Sequence, residues 1–257
     1  MKKIVLFDMD GTLTEPRGQM RYTMVDSLKK LHTHGYEIGI VTGSDLNYLQ
    51  EQCEILFTNS SIDATKIHFL PCNGTKYYRF TSKWDLISGV DMIEKIGKEA
   101  YRQLLISCGS WQQKILNTYS DIEYTGNFFD YRGSVLNWCP IGRSSTKTHR
   151  AIFIKADKKT SLRNNLLKHL RDESKTNGFD SVTIALGGES SFDIYPSGWD
   201  KTFALQYFEG YDISFVGDRC TKDGNDYTLY KKCQNKGYIT DGPATTLKII
   251  NKIINEK

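Results

Sequence analysis

The chain opens on a short apolar run, Ile4-Val5-Leu6-Phe7, with two carboxylates, Asp8 and Asp10, at its end. An apolar run of that length, bounded by turn residues, reads as a buried strand. "YTMVDSLKKLHTHG" follows with Met24, Leu28 and Leu31 at helical spacing and a stop at Gly35. "YEIGIVTG" reads as a second strand and "LNYLQEQCEILF" as a second helix. The same alternation returns near the C-terminus, where "YDISFVG" is a strand, "NDYTLYKKCQNKG" a helix and "PATTLKIINKIINEK" an amphipathic closing helix. Strands alternating with helices predict an α/β core with a parallel sheet covered on both faces.

Residues 81–196 break that alternation. A helical stretch is predicted from about Ile87 to Leu116. "FFDYRGSVLNWCPIG" then reads as a hairpin turning at Gly133-Ser134, a type II′ dipeptide. In that hairpin Phe129, Tyr131, Leu136 and Trp138 share one face, and Asp130, Arg132 and Asn137 share the other. A second strand pair, "SVTIAL" and "SFDIYP", flanks "GGES" and sets Ser191 and Asp193 opposite Phe192 and Ile194. The segment is predicted to be an α+β domain inserted into a core made of residues 1–80 and 197–257.

Composition narrows the picture. With 39% hydrophobic residues, 15 Tyr, 12 Phe and 4 Trp in 257 residues, the chain can build substantial cores. The net charge of +4 comes without a basic tract, which argues against nucleic acid and is compatible with small anions. Six scattered cysteines form no C-x-x-C pair, and the five histidines do not cluster beside them, so free thiols in a reducing compartment are expected rather than zinc. No run approaches the ~20 apolar residues of a membrane span, and the N-terminal run is too short for a signal peptide. A cytoplasmic protein is expected.

The carboxylates at the end of the first strand raise a chemical question. Asp8 and Asp10 point the same way, toward the carboxyl edge where open α/β sheets bind ligands. Either they form a solvated turn, or a cation and a phosphate belong there, since desolvating two like charges is otherwise costly. The second strand ends in Thr42-Gly43-Ser44, a candidate phosphate cradle that equally suits a helix cap. The strand "ISFVG" ends in Asp218, and Asp226 follows closely, so these carboxylates can complete an oxygen-ligand Mg2+ site. Lys201, at the start of the apolar-periodic "KTFALQYF", opposes a helix dipole and needs an anionic partner.

These four elements, in this order, are similar to those of the haloacid dehalogenase-like phosphotransferases. "DMDGTLTEPRG", "VTGSD", "FFDYRGSVLNWCPIGR", "GGESSFDIYPSGWDK" and "FVGDRCTKDGNDY" resemble the eukaryotic-type phosphomannomutases over nearly the whole chain. The resemblance implies a haloacid dehalogenase-like Rossmannoid core with an inserted α+β cap that sets substrate specificity. It makes Asp8 the nucleophile and Asp10 the general acid and base. It implies Mg2+ held by Asp8, Asp218 and the main-chain carbonyl of Asp10. Arg17, Arg132, Arg143, Arg150, Ser191 and Asp193 fall on the family's sugar-phosphate contacts. The implied reaction moves a phosphoryl group between O6 and O1 of a hexose phosphate, mannose in the first place, with hexose 1,6-bisphosphate as activator. A homodimer through the cap is implied as well.

The chain departs from the family pattern in three places. Thr42 stands where the mutases read glycine, Cys72 where they read glutamate, and Lys232 where an aspartate supplies a secondary cation site. A sugar-phosphate phosphatase using the same residues, with water accepting the phosphoryl group, is the alternative reading.

Overall fold

The computed structural model describes residues 1–58, 62–222 and 224–256. Along the chain, β1 (Lys3–Phe7), α1 (Tyr22–Thr33), β2 (Tyr36–Val41), α2 (Leu46–Gln52), α3 (Ile55–Thr58), β3 (Ile67–Leu70), β4 (Lys76–Phe80) and β5 (Trp84–Gly89) come first. Then follow α4 (Met92–Ile96), α5 (Lys98–Thr118), β6 (Phe129–Tyr131), β7 (Leu136–Trp138), α6 (Lys147–Thr160), α7 (Leu162–Thr176), β8 (Val182–Gly187) and β9 (Ser191–Pro196). A 3₁₀ segment, Lys201–Phe208, leads to β10 (Asp212–Gly217), α8 (Tyr227–Lys232), β11 (Gly237–Ile239) and α9 (Pro243–Asn255).

The chain divides into two compact units, one of residues Met1–Gly89 with Trp199–Lys257, the other Val90–Gly198. In the first, seven strands run in the order β11-β10-β1-β2-β3-β4-β5, parallel through β3 and antiparallel at β4 and β5. β1 lies between β10 and β2, and its side chains alternate between two buried faces. Val5 and Phe7 join Met24, Leu28 and Leu31 of α1 and Ile249, Ile250 and Ile253 of α9. Ile4 and Leu6 join Ala204 and Phe208 of the 3₁₀ segment, Phe215, and Leu229 of α8. Asp8 therefore leaves the sheet at the carboxyl end of an interior strand.

The second unit is built on an antiparallel sheet ordered β6-β7-β9-β8. The hairpin has the expected register, with Phe129 opposite Trp138 and Asp130 opposite Asn137. Gly133 has φ 83° and Ser134 does not have positive φ, the pattern of a II′ turn. The rings of Phe129, Trp138 and Phe192 stack across β6, β7 and β9. Trp138 donates its Nε1–H to Gln112 Oε1 of α5 at 2.8 Å, so the one polar atom of that ring is satisfied inside the core. Asp130, Asn137, Asp193 and Ser191 line the other face of the sheet by strand alternation and register.

Four elements differ from expectation. The stretch from Ile87 begins as the end of β5, an edge strand paired with β4, so the division falls at 89/90 instead of 80/81. The helix starts only after Asp91, whose carboxylate accepts the Ile93 and Glu94 N–H groups. "KTFALQYF" winds as a 3₁₀ segment, and "LNYLQEQCEILF" and "NDYTLYKKCQNKG" each break into two short pieces.

Candidate functional site

In the first unit the turn after β1 is tightly wound. The N–H groups of Thr12, Leu13 and Thr14 all reach the carbonyl of Met9, while Asp8 donates its own N–H to Val216 O at 2.9 Å. Gly11 has φ 79°, and a Cβ there would lie 2.5 Å from Asp218 Oδ2. That glycine lets the turn close onto the end of β10.

Asp8, Asp218, Asp226 and Lys201 meet there. Lys201 is fully buried, with Nζ in contact with Asp8 Oδ1 and 2.5 Å from Asp226 Oδ1. Lys201 thus has two anionic partners. Asp226 Oδ2 also accepts the Arg219 N–H at 3.0 Å, so both of its oxygens are engaged. Burial, opposed by Lys201 and reinforced by Asp226 and Asp218, pushes the Asp8 carboxyl up to about 8. Burial and the nearby Asp226 raise Asp218 to about 6. Burial works against the Lys201 ammonium, but Asp226 and Asp8 outweigh it and its pKa rises.

Three carboxylates against one ammonium leave two excess negative charges, which is why protons are held so firmly. A divalent cation would replace those protons. Ligand oxygens of Asp8, Asp218 and Asp226 lie within 4.8 Å of one another, near the ~4 Å across an octahedral Mg2+ site. Asn225 Oδ1 is buried beside Asp226 in sequence with no hydrogen-bond partner among the described residues. All of these donors are hard oxygens. The residues fit Mg2+.

Asp10 stands outside this cluster by its side chain. Its Oδ1 accepts from Tyr48 Oη at 2.9 Å and from the Arg17 N–H at 3.0 Å. Burial and the Asp10 charge push the Tyr48 phenol upward, so it remains a donor. The Arg17 side chain is exposed. At the end of β2, Thr42 Oγ1 accepts the Ser44 N–H at 3.1 Å. The carbonyls of Thr42 and Ser44 accept the N–H groups of Asn73 and Cys72, both at 2.8 Å. Gly43 sits between them, so the loop is pinned from both sides by the turn that carries Cys72.

In the second unit the polar sheet face forms a connected network. Asp130 Oδ2 takes Arg132 Nε at 3.0 Å and Arg143 Nε at 3.2 Å. Arg143 Nη1 donates to Asn137 Oδ1 at 2.8 Å, and Asn137 Nδ2 donates to Asp193 Oδ1 at 2.7 Å. Arg150 donates to Ser190 Oγ and to the carbonyls of Arg143 and Ser145. Ser191 Oγ donates to Gly187 O at 2.6 Å. Three guanidiniums thus gather with two carboxylates on this face.

Residues 24–256 match the family described as eukaryotic phosphomannomutase. The chain belongs to that family. A phosphomannomutase of Schizosaccharomyces pombe is 34% identical over 260 residues, covering 99% of this chain and 95% of that protein. One from Saccharomyces cerevisiae is 33% identical, with coverage of 98% and 94%. Among solved structures, IMP-bound Plasmodium falciparum IMP-nucleotidase aligns with a TM-score of 0.65 at 13% identity, covering 98% of this chain and 68% of that one. Aspergillus fumigatus trehalose-6-phosphate phosphatase aligns at 0.54 and 14%, with 99% and 93% covered. Those two show a haloacid dehalogenase-type fold and do not favour hydrolysis over mutase chemistry in this phosphomannomutase family member.

The structure adds residues that the motifs did not single out. Tyr48 lies one helical turn beyond "VTGSD", a spacing that only the fold connects to Asp10. Asp130 and Asn137 were readable as polar-face positions, but nothing in the sequence shows that they tie Arg132, Arg143 and Asp193 together.

Proposed function

We propose that the chain interconverts mannose 6-phosphate and mannose 1-phosphate through an aspartyl phosphate on Asp8 and a hexose 1,6-bisphosphate intermediate. The observation that carries this reading is the buried Asp8–Lys201 pair facing Asp218 at the end of β1, in a chain that matches phosphomannomutases along its whole length. Asp8 attacks phosphorus, and Lys201 balances charge on the nucleophile and on the transferring oxygens. Asp10 gives a proton to the departing sugar oxygen and takes one from the hydroxyl that attacks in the second half-reaction. Asp8, Asp218 and the main-chain carbonyl of Asp10, with Asp226 completing the acidic cluster, would hold Mg2+, which would supply electrostatic stabilisation of the phosphoryl oxygens.

Thr42, Gly43 and Ser44 bind the reacting phosphate in this reading. Arg132, Arg143 and Arg150, with Arg17, bind the distal phosphate, and Ser191 and Asp193 bind sugar hydroxyls. Residues 90–198 are then the specificity cap, and a homodimer forms through it, which sedimentation at micromolar concentration tests. A cytoplasmic setting accords with six free cysteines, and no helix among the described residues is long and apolar enough to cross a membrane. The deciding assay is turnover of mannose 1-phosphate with and without hexose 1,6-bisphosphate. Mannose 6-phosphate that appears only with the bisphosphate supports the mutase, and stoichiometric free phosphate refutes it.

A further inference from the structure

We infer that Tyr48 is a positioning residue for phosphoryl transfer, its phenol holding the Asp10 carboxyl in the orientation from which it exchanges a proton with the sugar oxygen. The inference rests on the reading of Asp10 as general acid and base. Both described hydrogen bonds to the Asp10 side chain converge on Oδ1, from Tyr48 Oη at 2.9 Å and the Arg17 N–H at 3.0 Å. A carboxyl whose Oδ1 accepts two bonds carries its transferable proton on Oδ2. The two donors differ in how firmly they are held. Arg17 sits in an exposed turn with φ 58°. Tyr48 is the third residue of α2, its N–H accepted by the capping Asp45 at 2.9 Å, and its ring packs against the hydrophobic core of the first unit. The phenol is thus the donor fixed by regular structure, and misplacement of a catalytic group by ~1 Å costs on the order of 10²-fold in rate.

An Asp8 oxygen forms a bond to phosphorus while the bond from phosphorus to the sugar oxygen breaks, and its electron pair stays on that oxygen. The sugar oxygen takes the proton from Asp10 Oδ2, and Asp10 becomes a carboxylate that still accepts two bonds at Oδ1. In the second half-reaction the attacking hydroxyl returns a proton to Asp10 as Asp8 leaves phosphorus. Tyr48 keeps its own proton throughout and forms no bond to substrate.

Tyr48→Phe retains the ring and deletes only the hydroxyl. The test measures kcat/KM for mannose 1-phosphate with hexose 1,6-bisphosphate, and for aryl phosphates whose leaving groups run from dinitrophenol to phenol. For mannose 1-phosphate and phenyl phosphate the variant should be about 10-fold slower, the loss of one hydrogen bond to an ionising group. Dinitrophenyl phosphate, whose leaving group departs unprotonated, should change less than about twofold. Tyr48→Phe should add nothing further to Asp10→Asn, because both act through one carboxyl. Equal losses on every substrate, no loss on mannose 1-phosphate, or full additivity with Asp10→Asn would overturn the role of Tyr48. If instead Asp10→Asn itself slows all leaving groups alike, the general-acid assignment fails first and Tyr48 falls with it.

Discussion

Replacing Lys201 with methionine probes the charge balance on which the site is built. The lysine is fully buried between Asp8 and Asp226, and methionine keeps an unbranched stem while removing the ammonium. Taking one partner from a buried ion pair costs ~3–5 kcal/mol when the other charge stays uncompensated. Here part of that cost is avoided, because Asp8, raised to about 8, already holds a proton at pH 7 and leaves no bare charge behind. Asp226 in turn retains the Arg219 N–H. The net loss expected in urea unfolding at pH 7 is therefore about 2–4 kcal/mol. Turnover should fall further, by ~10²–10³, since the fixed charge facing the transferring phosphoryl is gone. Mg2+ should protect the variant at least as much as the wild type, because the cluster left behind is more negative. A variant within about 0.5 kcal/mol of wild type and within threefold in kcat would refute this account of Lys201.

Asp8→Asn should abolish phosphoryl transfer with the far-ultraviolet spectrum unchanged, since the amide keeps the shape but cannot attack phosphorus; activity above trace level would remove the aspartyl phosphate. Chelation of Mg2+ should stop turnover and lower the thermal midpoint, and a midpoint indifferent to added Mg2+ would contradict the Asp8/Asp218 assignment. Arg143→Ala should weaken mannose 1-phosphate and mannose 6-phosphate alike, by roughly 10- to 150-fold for a lost charge-assisted bond. A small aryl phosphate should barely respond, and equal losses on all three would mean Arg143 supports the fold. His68 accepts Arg79 Nη1 at its Nδ1 and faces Glu37 from Nε2, both at 2.8 Å, and burial with Arg79 lowers it to about 4. The unfolded chain then binds the extra proton first, so stability is complete above ~6.5 and falls by up to about 3 kcal/mol as pH drops toward ~4. In His68→Gln that slope should flatten, as read from urea midpoints across the window.

The parallel core was legible because its strands are buried on both faces and so appear as uninterrupted apolar runs. β1 and β10 are of this kind, and each ends in a carboxylate that has no structural reason to be there. The hairpin at Gly133-Ser134 was legible for a different reason, since strict alternation around a II′ dipeptide fixes register and pairs Asp130 with Asn137, whereas the pairing of Asn137 with Asp193 arises only from β7 meeting β9. β3, with only the four residues Ile67–Leu70, is too short for any period to show. α6 and α7 are dense in charge and meet at Ser161, in the left-handed conformation, where Asp157 accepts the Arg163 N–H in place of a cap by Ser161. No usual helix stop marks that break.

What the sequence did not disclose is how each functional group is aimed. Spacing by two on a strand brings Asp8 and Asp10 to one edge, but it does not tell their roles apart. Their partners in the structure differ: Asp8 is buried against an ammonium and two carboxylates, and Asp10 is turned onto a phenol and a main-chain N–H. The first environment suits a nucleophile whose charge must be held close to a cation. The second leaves one oxygen of a carboxyl oriented for proton exchange. Those partners, Lys201, Asp226 and Tyr48, lie between 38 and 218 residues from the carboxylates they serve. No local pattern links them, because the link is made by strand order in the sheet. The division of labour proposed for two aspartates two residues apart therefore rests on the fold, and the leaving-group series with Tyr48→Phe and Asp10→Asn tests it directly.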